Sequence, residues 1–281
     1  MAIRFTKMHG CGNDYIYINC FNQKIDNPTE LAIEMSQRHF SVGSDGIVLI
    51  MPSTLADCRM RMFNADGSEG NMCGNAIRCI GKYLYDNQMV FKDVVTVETL
   101  SGIKTLKLLI GENGKVHSVE VNMGVASFKP EDIGLDSNEE YINKEVEIKN
   151  KKYNITAVSM GNPHSVIYVN NTKILNLVKD GPYFENYSLF KNRVNTEFVK
   201  IISKDHLEMR VWERGSGETF ACGTGACAVC AASVKNGICD FNTDIKIDLL
   251  GGTLKIRVLD DYTIIMTGPA KMVYEGVYYE D

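Results

Sequence analysis

The feature of this sequence that most limits its fold is a duplication with a period near 150 residues. Cys73 opens an apolar run with helical spacing, and Cys222 opens a second such run 149 positions later. The same offset aligns Gly12-Asn13 with Gly161-Asn162. Solenoid repeats have much shorter periods, roughly 20 to 50 residues. The pattern therefore predicts two copies of one domain within the chain.

Further matches extend this alignment along both copies. Segments 61–69 and 210–218 share the 149-residue offset, and each begins with Arg and ends with Glu. Other matches require an offset of 150, namely Asp45 with Asn195 and Gly102 with Gly252. We therefore expect a one-residue insertion in the second copy.

Each copy is predicted to be mostly β-structure with one prominent buried helix. Strand-like stretches near residues 3–7, 14–19 and 47–51 precede the Cys73 run, which has the spacing of a helix. Residues 127–141 contain Pro130 and clustered acids, as is typical of a connector between domains. If the two copies face each other about a pseudo-twofold axis, both cysteine-led helices begin in one cleft.

Composition restricts the class of protein and its partners. The chain has 281 residues, a formal net charge of −5 and no basic block, so nucleic acid is not an expected partner. No apolar run approaches the roughly 20 residues that span a bilayer, and no signal peptide is expected. Nine cysteines, an odd number, favour reduced thiols and a cytoplasmic location.

Two cysteines at helix starts suit a reaction at a carbon held between them. A thiolate on one face removes a proton, and a thiol on the other face returns one, so the stereocentre is inverted. A helix N-terminus lowers a cysteine pKa from about 8.5 towards neutrality, and its N–H groups can bind a carboxylate. The sequence therefore predicts that Cys73 and Cys222 form a proton-transfer pair.

Several distinctive motifs occur in order from residue 9 to residue 225. They are His9-Gly10-x-Gly12-Asn13-Asp14, Asn64-x-Asp66-Gly67-Ser68 followed by Cys73-Gly74-Asn75-Ala76-x-Arg78, Gly161-Asn162-Pro163-His164, Arg193-Val194-Asn195-Thr196-Glu197, Glu213-Arg214-Gly215 and Ala221-Cys222-Gly223-Thr224-Gly225. Together these motifs resemble the signature of the diaminopimelate epimerase family. The resemblance covers essentially the whole chain. It implies interconversion of LL- and meso-2,6-diaminopimelate without pyridoxal phosphate or any other cofactor, in lysine and peptidoglycan precursor synthesis.

The resemblance also implies an architecture. The expected fold class is α/β (α+β), with two pseudo-symmetric domains that are each a β-barrel-like sheet wrapped around a central helix, and an active site in the cleft between them. The N-terminal epimerase domain would comprise residues 1–124 together with the returning segment 272–281. The C-terminal epimerase domain would comprise residues 125–271. A homodimer is expected from the family.

The resemblance assigns roles to particular residues. Cys73 and Cys222 would be catalytic, while His164 and Glu213 would adjust the protonation of the cysteines. Arg214 would grip the distal carboxylate of diaminopimelate with two parallel hydrogen bonds. The expected substrate-binding residues are Asn13, Asn64, Gly74, Asn75, Asn162, Asn195, Glu213, Arg214, Gly223 and Thr224. No metal ligand is expected, and Gly46 stands where some family members carry a glutamine.

Three alternatives remain open from the residues. Another cysteine-pair racemase of the same fold, acting on proline or hydroxyproline, would have no use for the distal residues Asn64, Asn195 and Arg214. Cys227-x-x-Cys230 suggests a metal or dithiol-redox module, but it lacks a second cysteine pair. Gly223-Thr224-Gly225 suggests phosphate binding, but it lacks the Gly-Lys-Ser/Thr ending of a P-loop.

Overall fold

The computed structural model describes residues 2–280, which contain five helices and eighteen strands. The helices are α1 (Pro28–Ser36), α2 (Gly74–Asp86), α3 (Pro130–Ile133), α4 (Leu177–Glu185) and α5 (Gly223–Lys235). The first eight strands are β1 (Ala2–Gly10), β2 (Asn13–Asn19), β3 (Gly46–Met51), β4 (Cys58–Asn64), β5 (Glu69–Gly70), β6 (Val94–Thr99), β7 (Gly102–Ile110) and β8 (Val116–Val125). The others are β9 (Lys144–Ile148), β10 (Lys151–Ser159), β11 (Pro163–Tyr168), β12 (Asn195–Ser203), β13 (His206–Glu213), β14 (Gly217–Glu218), β15 (Asp244–Leu249), β16 (Gly252–Val258), β17 (Thr263–Pro269) and β18 (Lys271–Tyr279).

The chain divides into two compact units. Unit 1 comprises Met1–Val121 and Gly268–Asp281, and unit 2 comprises Asn122–Thr267. The boundaries fall inside strands β8 and β17. Unit 1 therefore contains the cysteine-led helix α2, and unit 2 contains the cysteine-led helix α5.

The two units have the same strand connectivity. In unit 1, β2 runs parallel to β3, β3 is antiparallel to β4, and β4 is parallel to β6. In unit 2, the same relations hold for β11 with β12, β12 with β13, and β13 with β15. In unit 2, the outer strand β9 directly precedes β10 in the chain and pairs with it. In unit 1, the equivalent outer strand, which pairs with β1, is β18 from the end of the chain. The predicted α/β duplication is therefore confirmed at the level of topology.

The strand register corrects one part of the sequence alignment. The ladder Ile16↔Ile47↔Phe63 of unit 1 corresponds to Ser165↔Thr196↔Trp212 of unit 2, with an offset of 149 at each strand. Asn195 therefore occupies the position of Gly46, so the predicted match of Asn195 to Asp45 is wrong. Side chains alternate between the two faces of a strand, so a one-residue error would exchange those faces.

The one-residue insertion lies after the cysteine-led helices. Helices α2 and α5 begin and end 149 residues apart. The following hairpins are 150 residues apart, because Thr99 pairs with Gly102 and Leu249 with Gly252. The match of Gly252 to Gly102 is therefore confirmed, and the extra residue falls between α5 and β15.

The two cysteine-led helices are the buried helices of their units. Helix α2 buries Ile77, Ile80 and Leu84, which are at most 1 % exposed. Helix α5 is buried nearly all round along its Ala- and Val-rich sequence and packs against β10, β11, β12 and β16. Such all-round apolar character is typical of a helix enclosed by other elements. No helix within residues 2–280 is long and apolar enough to cross a membrane.

Candidate active site

Cys73 is the N-cap residue of α2, in an extended backbone conformation with φ −132° and ψ 121°. Cys73 is half-buried, and its thiol donates to Asn13 Oδ1 over 3.4 Å. The Asn75 amide donates to the same oxygen over 3.3 Å. The structure therefore brings three of the predicted site residues, Asn13, Cys73 and Asn75, together in unit 1.

Two charged residues hold the Asn13 side chain in place. Asn13 Nδ2 donates to Asp45 Oδ2 over 2.8 Å, and Arg38 donates to Asp45 Oδ1 over 2.9 Å. Because the nitrogen end of the amide is held by a carboxylate, its oxygen end faces the thiol and Asn75. Asp45 is thus a supporting residue that the sequence analysis used only for alignment.

Arg78 organises the first turn of α2 from inside the protein. The guanidinium is fully buried and donates to Gly74 O and Asn75 Oδ1, each over 2.9 Å, and to Pro269 O over 3.3 Å. A fork of donors that satisfies both a helix carbonyl and a side-chain amide fixes the position of Asn75. Arg78 therefore shapes the backbone that follows Cys73.

Asn64 ends β4 and begins a turn. Its side chain donates to Ser68 Oγ over 3.0 Å, while Ser68 N donates to Asp66 Oδ1 over 2.9 Å. Asparagine and aspartate commonly stabilise turns by such local bonds. In this structure Asn64 is therefore a turn residue, and its predicted substrate contact stays a prediction.

Cys222 is the N-cap residue of α5, in a conformation similar to that of Cys73, with φ −113° and ψ 109°. Its sulfur is buried, accepts the backbone N–H of Gly225 over 3.3 Å and contacts Thr224 Oγ1 at 3.5 Å. The charge of Glu213 also acts on this thiol. The second cysteine is thus surrounded by its own helix terminus and by the end of β13.

The protonation of Cys222 differs from the sequence expectation. Burial raises its pKa well above the ordinary value, and the charges of Glu213 and Glu197 raise it further, while Thr224 and the Gly225 N–H lower it. Desolvation and two nearby carboxylates outweigh the helix terminus. The expected pKa near neutrality is therefore wrong for Cys222 in this structure, where the thiol form is favoured.

The pKa of Glu213 is also shifted upward. Burial raises its pKa, and hydrogen bonds from Thr219 and Cys222 oppose that effect only in part. A carboxyl group with a raised pKa can exchange a proton with a neighbouring thiol more readily than an ordinary surface carboxylate. The structure therefore places Glu213 where it can influence the protonation of Cys222.

His164 lies fully buried on β11 beside Glu197 of β12. The distance from His164 Nδ1 to Glu197 Oε1 is 2.6 Å, and the distance from Nε2 to Asn162 Oδ1 is 3.1 Å. Asn162 Nδ2 in turn donates to Thr224 Oγ1 over 3.4 Å. The predicted residues His164, Asn162 and Thr224 therefore form one connected group with Cys222.

Asn195 and Arg214 are adjacent in unit 2. Asn195 Oδ1 accepts the backbone N–H of Arg214 over 2.9 Å, and Asn195 Nδ2 donates to Pro163 O over 3.0 Å. The Arg214 side chain is exposed and donates to Asn192 O over 2.9 Å. The Asn195 amide is therefore engaged by backbone groups, and it positions the segment that carries Arg214.

The cysteines outside the two helix starts have a different environment. All nine cysteines are free thiols, and Cys227 and Cys230 are fully buried inside α5. Residues 2–280 contain no cluster of three or more His, Cys, Asp or Glu side chains arranged to hold a metal ion. Cys227 and Cys230 are thus packing residues of α5 in this structure.

One functional candidate was missed by the sequence analysis. Glu197 occurs in a quoted motif but received no role, although its carboxylate contacts His164 and acts on Cys222. The available signal was a single charged residue within the otherwise uncharged, strand-like stretch 194–199, because charged side chains are rarely buried without a partner.

Comparisons with known proteins agree with these observations. A family model described as diaminopimelate epimerase matches residues 5–129 and 156–273. Proteins named diaminopimelate epimerase from Acetivibrio thermocellus and Methanococcus maripaludis are 55 % and 53 % identical over 276 residues. These matches cover 98 % of this chain and 98 % and 99 % of the two relatives.

Solved structures support the fold. A phenazine biosynthesis protein of the PhzF family from Bacillus anthracis matches with a TM-score of 0.72 at 17 % identity, over 100 % of both chains. A hydroxyproline epimerase from Agrobacterium vitis matches with a TM-score of 0.69 at 12 % identity, over 98 % of this chain and 92 % of that one. The family model and the relatives at 55 % and 53 % identity show that the chain belongs to the diaminopimelate epimerase family and is an isomerase.

Proposed function

We propose that this protein interconverts LL- and meso-2,6-diaminopimelate by a two-base mechanism that uses Cys73 and Cys222. The observation that carries the proposal is the placement of both cysteines as N-cap residues of the two equivalent buried helices. The named relatives at 55 % and 53 % identity support the choice of substrate. The reaction belongs to the synthesis of lysine and peptidoglycan precursors, and the cytoplasm is the proposed location.

In this mechanism one cysteine acts as a thiolate and the other as a thiol. The thiolate takes the α-proton, the electron pair of the broken C–H bond stays on carbon, and the opposite thiol then protonates that carbon from its other face. One proton is taken up and one is delivered, so the two sulfurs exchange protonation states in each turnover. No pyridoxal phosphate is required in this scheme, and each cysteine is acid in one direction and base in the other.

Backbone groups at the two helix starts would stabilise the charge that develops near the α-carboxylate. Gly74 and Asn75 begin α2, and Gly223 and Thr224 begin α5. The first N–H groups of a helix lack intrahelical acceptors and carry the positive end of the helix dipole. Donors placed at a developing negative charge lower the barrier to proton removal.

Glu213 and His164 would control which sulfur carries the proton. Glu213 acts on Cys222 through its charge, and burial raises its own pKa, so it can receive the thiol proton as the substrate arrives. His164 reaches the same region through Asn162. We assign both residues to adjustment of cysteine protonation, without a direct role in bond breaking at carbon.

The distal end of diaminopimelate would be recognised by Asn64, Asn195, Glu213 and Arg214, with Asn13 and Asn162 nearer the reacting carbon. Arg214 is exposed at its tip and can form paired hydrogen bonds with a carboxylate. Proline and hydroxyproline have no second amino-acid end, so this set of residues favours diaminopimelate over the alternative substrates.

Each structural unit would supply one base. We propose that residues 1–124 with 272–281 form the N-terminal epimerase domain and that residues 125–271 form the C-terminal one. The division of the chain after Val121 and Thr267 supports these limits to within a few residues.

The test is incubation of the reduced protein with LL-diaminopimelate in deuterated water. We expect the meso isomer, with deuterium at one α-carbon, as seen by chiral chromatography and mass spectrometry. L-Proline and trans-4-hydroxy-L-proline serve as matched substrates and are expected to remain unchanged. Turnover of either one in place of diaminopimelate would contradict the proposed substrate.

A further inference from the structure

A fully buried glutamate lies behind the unit 2 cysteine. Glu197 is 0 % exposed, and its Oε1 atom is 2.6 Å from His164 Nδ1. Its second oxygen, Oε2, is buried without a hydrogen-bond partner among residues 2–280. Burying a carboxyl group in this way is costly, so its presence calls for a role beyond packing.

The protein provides space for this carboxyl group at the start of α5. A Cβ atom on Gly225 would lie 2.7 Å from Glu197 Oε1, which is closer than real Cβ atoms approach other heavy atoms. It would also lie 3.2 Å from Cys222 Sγ. The glycine therefore allows the carboxyl group to sit beside the helix terminus. The carboxyl group of residue 197 can therefore take this position only because residue 225 has no side chain.

The duplication shows that the fold itself does not need this charge. With the strand register at an offset of 149, Glu197 corresponds to Val48, and Gly225 corresponds to Ala76. Val48 and Ala76 are both buried apolar residues of unit 1. The unit 1 copy therefore combines an apolar strand residue with a helix residue that has a Cβ atom.

Glu197 stands at one end of a polar chain that leads to the catalytic sulfur. His164 Nε2 contacts Asn162 Oδ1 at 3.1 Å, and Asn162 Nδ2 donates to Thr224 Oγ1 over 3.4 Å. Thr224 Oγ1 is 3.5 Å from Cys222 Sγ. An amide oxygen only accepts hydrogen bonds, so the contact with Asn162 needs a hydrogen on Nε2, whichever partner carries the hydrogen between Nδ1 and Glu197.

We propose that Glu197 is a positioning residue that holds the His164 ring with its Nε2–H directed at Asn162, and so orients the Asn162 amide towards Thr224 and Cys222. The bond to Nδ1 fixes both the rotation of the ring and the nitrogen that faces Asn162. This role rests on the proposed function only in that Asn162 is taken to contact the substrate.

Two substitutions of Glu197 distinguish a positioning role from a role of its charge or of its packing. Glu197→Gln keeps a hydrogen-bonding group next to Nδ1, whereas Glu197→Val reproduces the residue found at the same position of unit 1. Glu208→Gln on β13, whose carboxylate accepts from Thr172, is the matched control for loss of a carboxylate in unit 2. Side-chain ¹⁵N NMR of His164, assigned with a His164→Gln variant, reports the protonated nitrogen, and kcat and KM are measured for diaminopimelate.

We expect Glu197→Val to change the Nε2 signal of His164, because the ring loses the bond at Nδ1 that fixes its rotation, and to lower kcat/KM by about tenfold or more, as for other outer partners of catalytic groups. Glu197→Gln should keep that signal, and its kcat/KM should stay within about threefold of the value for the unchanged protein. The same is expected of Glu208→Gln. An unchanged ring signal and kcat/KM in Glu197→Val would overturn the proposal. An equal loss in Glu197→Gln would also overturn it, because charge rather than positioning would then be required.

The spectroscopic arm needs no substrate. If the unchanged protein fails to epimerise diaminopimelate, the proposed function is wrong, yet the His164 signals still decide whether Glu197 sets the ring. If the protein is active and the ring signals do not respond to Glu197→Val, the positioning role alone is refuted.

Discussion

At the scale of single residues, Cys222 shows that sequence context does not set the protonation of a thiol by itself. The residue begins a helix, which favours the thiolate, but it is buried and faces Glu213 and Glu197. Two negative charges and desolvation act in the same direction and leave the thiol protonated. Without substrate, the thiol form of Cys222 is therefore favoured.

Replacing either catalytic cysteine should stop epimerisation while the fold is retained. Cys73→Ala and Cys222→Ala each remove one proton carrier, and we expect kcat to fall by at least about a hundredfold. Deuterium incorporation from heavy water and circular dichroism measure activity and fold. Cys20→Ala, outside both helix starts, is the control and should retain activity. Full turnover by either catalytic variant would contradict the two-base scheme.

Removing the charge of Glu213 should make Cys222 more acidic. Because the Glu213 charge raises the Cys222 pKa, Glu213→Gln is expected to lower that pKa and to shift the thiol titration to lower pH. The titration can be followed by the ¹³Cβ chemical shift of Cys222. Glu208→Gln, on the same strand, should leave the titration in place. A shift to higher pH in Glu213→Gln would contradict the electrostatic account.

At the scale of elements, the equivalent strands of the two units carry equivalent ion pairs. Arg61 and Glu69 form two parallel hydrogen bonds of 2.7 and 2.9 Å, and Arg210 and Glu218 form two of 2.7 and 3.0 Å. The sequence alignment had matched these residues by offset alone. Arg210 additionally donates to two carbonyl groups, which ties β13 to the segment before α4.

Helix α4 packs against β13 through a glycine. A Cβ atom on Gly181 would lie 2.2 Å from Trp212 Cδ2, so an alanine would force the indole or the helix to move. Gly181→Ala is expected to destabilise the protein by about 1 to 3 kcal/mol, the usual cost of overpacking. Trp212 is the single tryptophan, so its fluorescence reports the displacement directly during chemical unfolding.

The control for this experiment is Gly111→Ala in a loop of unit 1. There a Cβ atom would meet the flexible Asn113 side chain at 3.2 Å, and no large change in the free energy of unfolding is expected. If Gly181→Ala left both the stability and the tryptophan emission unchanged, the close packing of α4 on Trp212 would be disproved.

At the scale of the whole molecule, the buried thiols predict a loss of stability in alkali. Burial raises the pKa of Cys79 to about 11 and that of Cys58 to about 12, above the ordinary value near 9. A thiol with a raised pKa in the folded state contributes stability below its unfolded pKa, and this contribution is lost as the pH rises towards the folded value. The free energy of unfolding should therefore fall between about pH 9 and 11.

The contribution of one such thiol can be isolated. For Cys79 the difference of about two pKa units corresponds to a contribution on the order of 1 to 3 kcal/mol. Denaturant unfolding of Cys79→Ala at pH 8 and pH 10.5 should show a smaller fall in stability than the unchanged protein. An equal fall in both proteins would show that Cys79 does not contribute to the alkaline transition.

The family resemblance predicts a homodimer, and β18 carries apolar side chains suited to an interface. Met272, Val273, Tyr274, Val277 and Tyr279 are between 44 % and 71 % exposed in this single chain. We expect light scattering after size exclusion to give twice the chain mass of 31.4 kDa. A double variant, Val273→Lys with Val277→Lys, should give the mass of one chain. A dimer that survives these two charges would place the interface elsewhere.

The duplication, the two cysteine-led helices and the family could all be predicted from the sequence. These features are local patterns or fixed spacings, which a linear sequence displays directly. It did not determine the strand register that makes Asn195 the equivalent of Gly46 in the second copy, nor the raised pKa of Cys222. His164 and Glu197 are 33 positions apart, and only the pairing of β11 with β12 brings them to 2.6 Å. Burial and the distance between charges depend on contacts between residues that are far apart in the chain, so they become known only once the chain is folded.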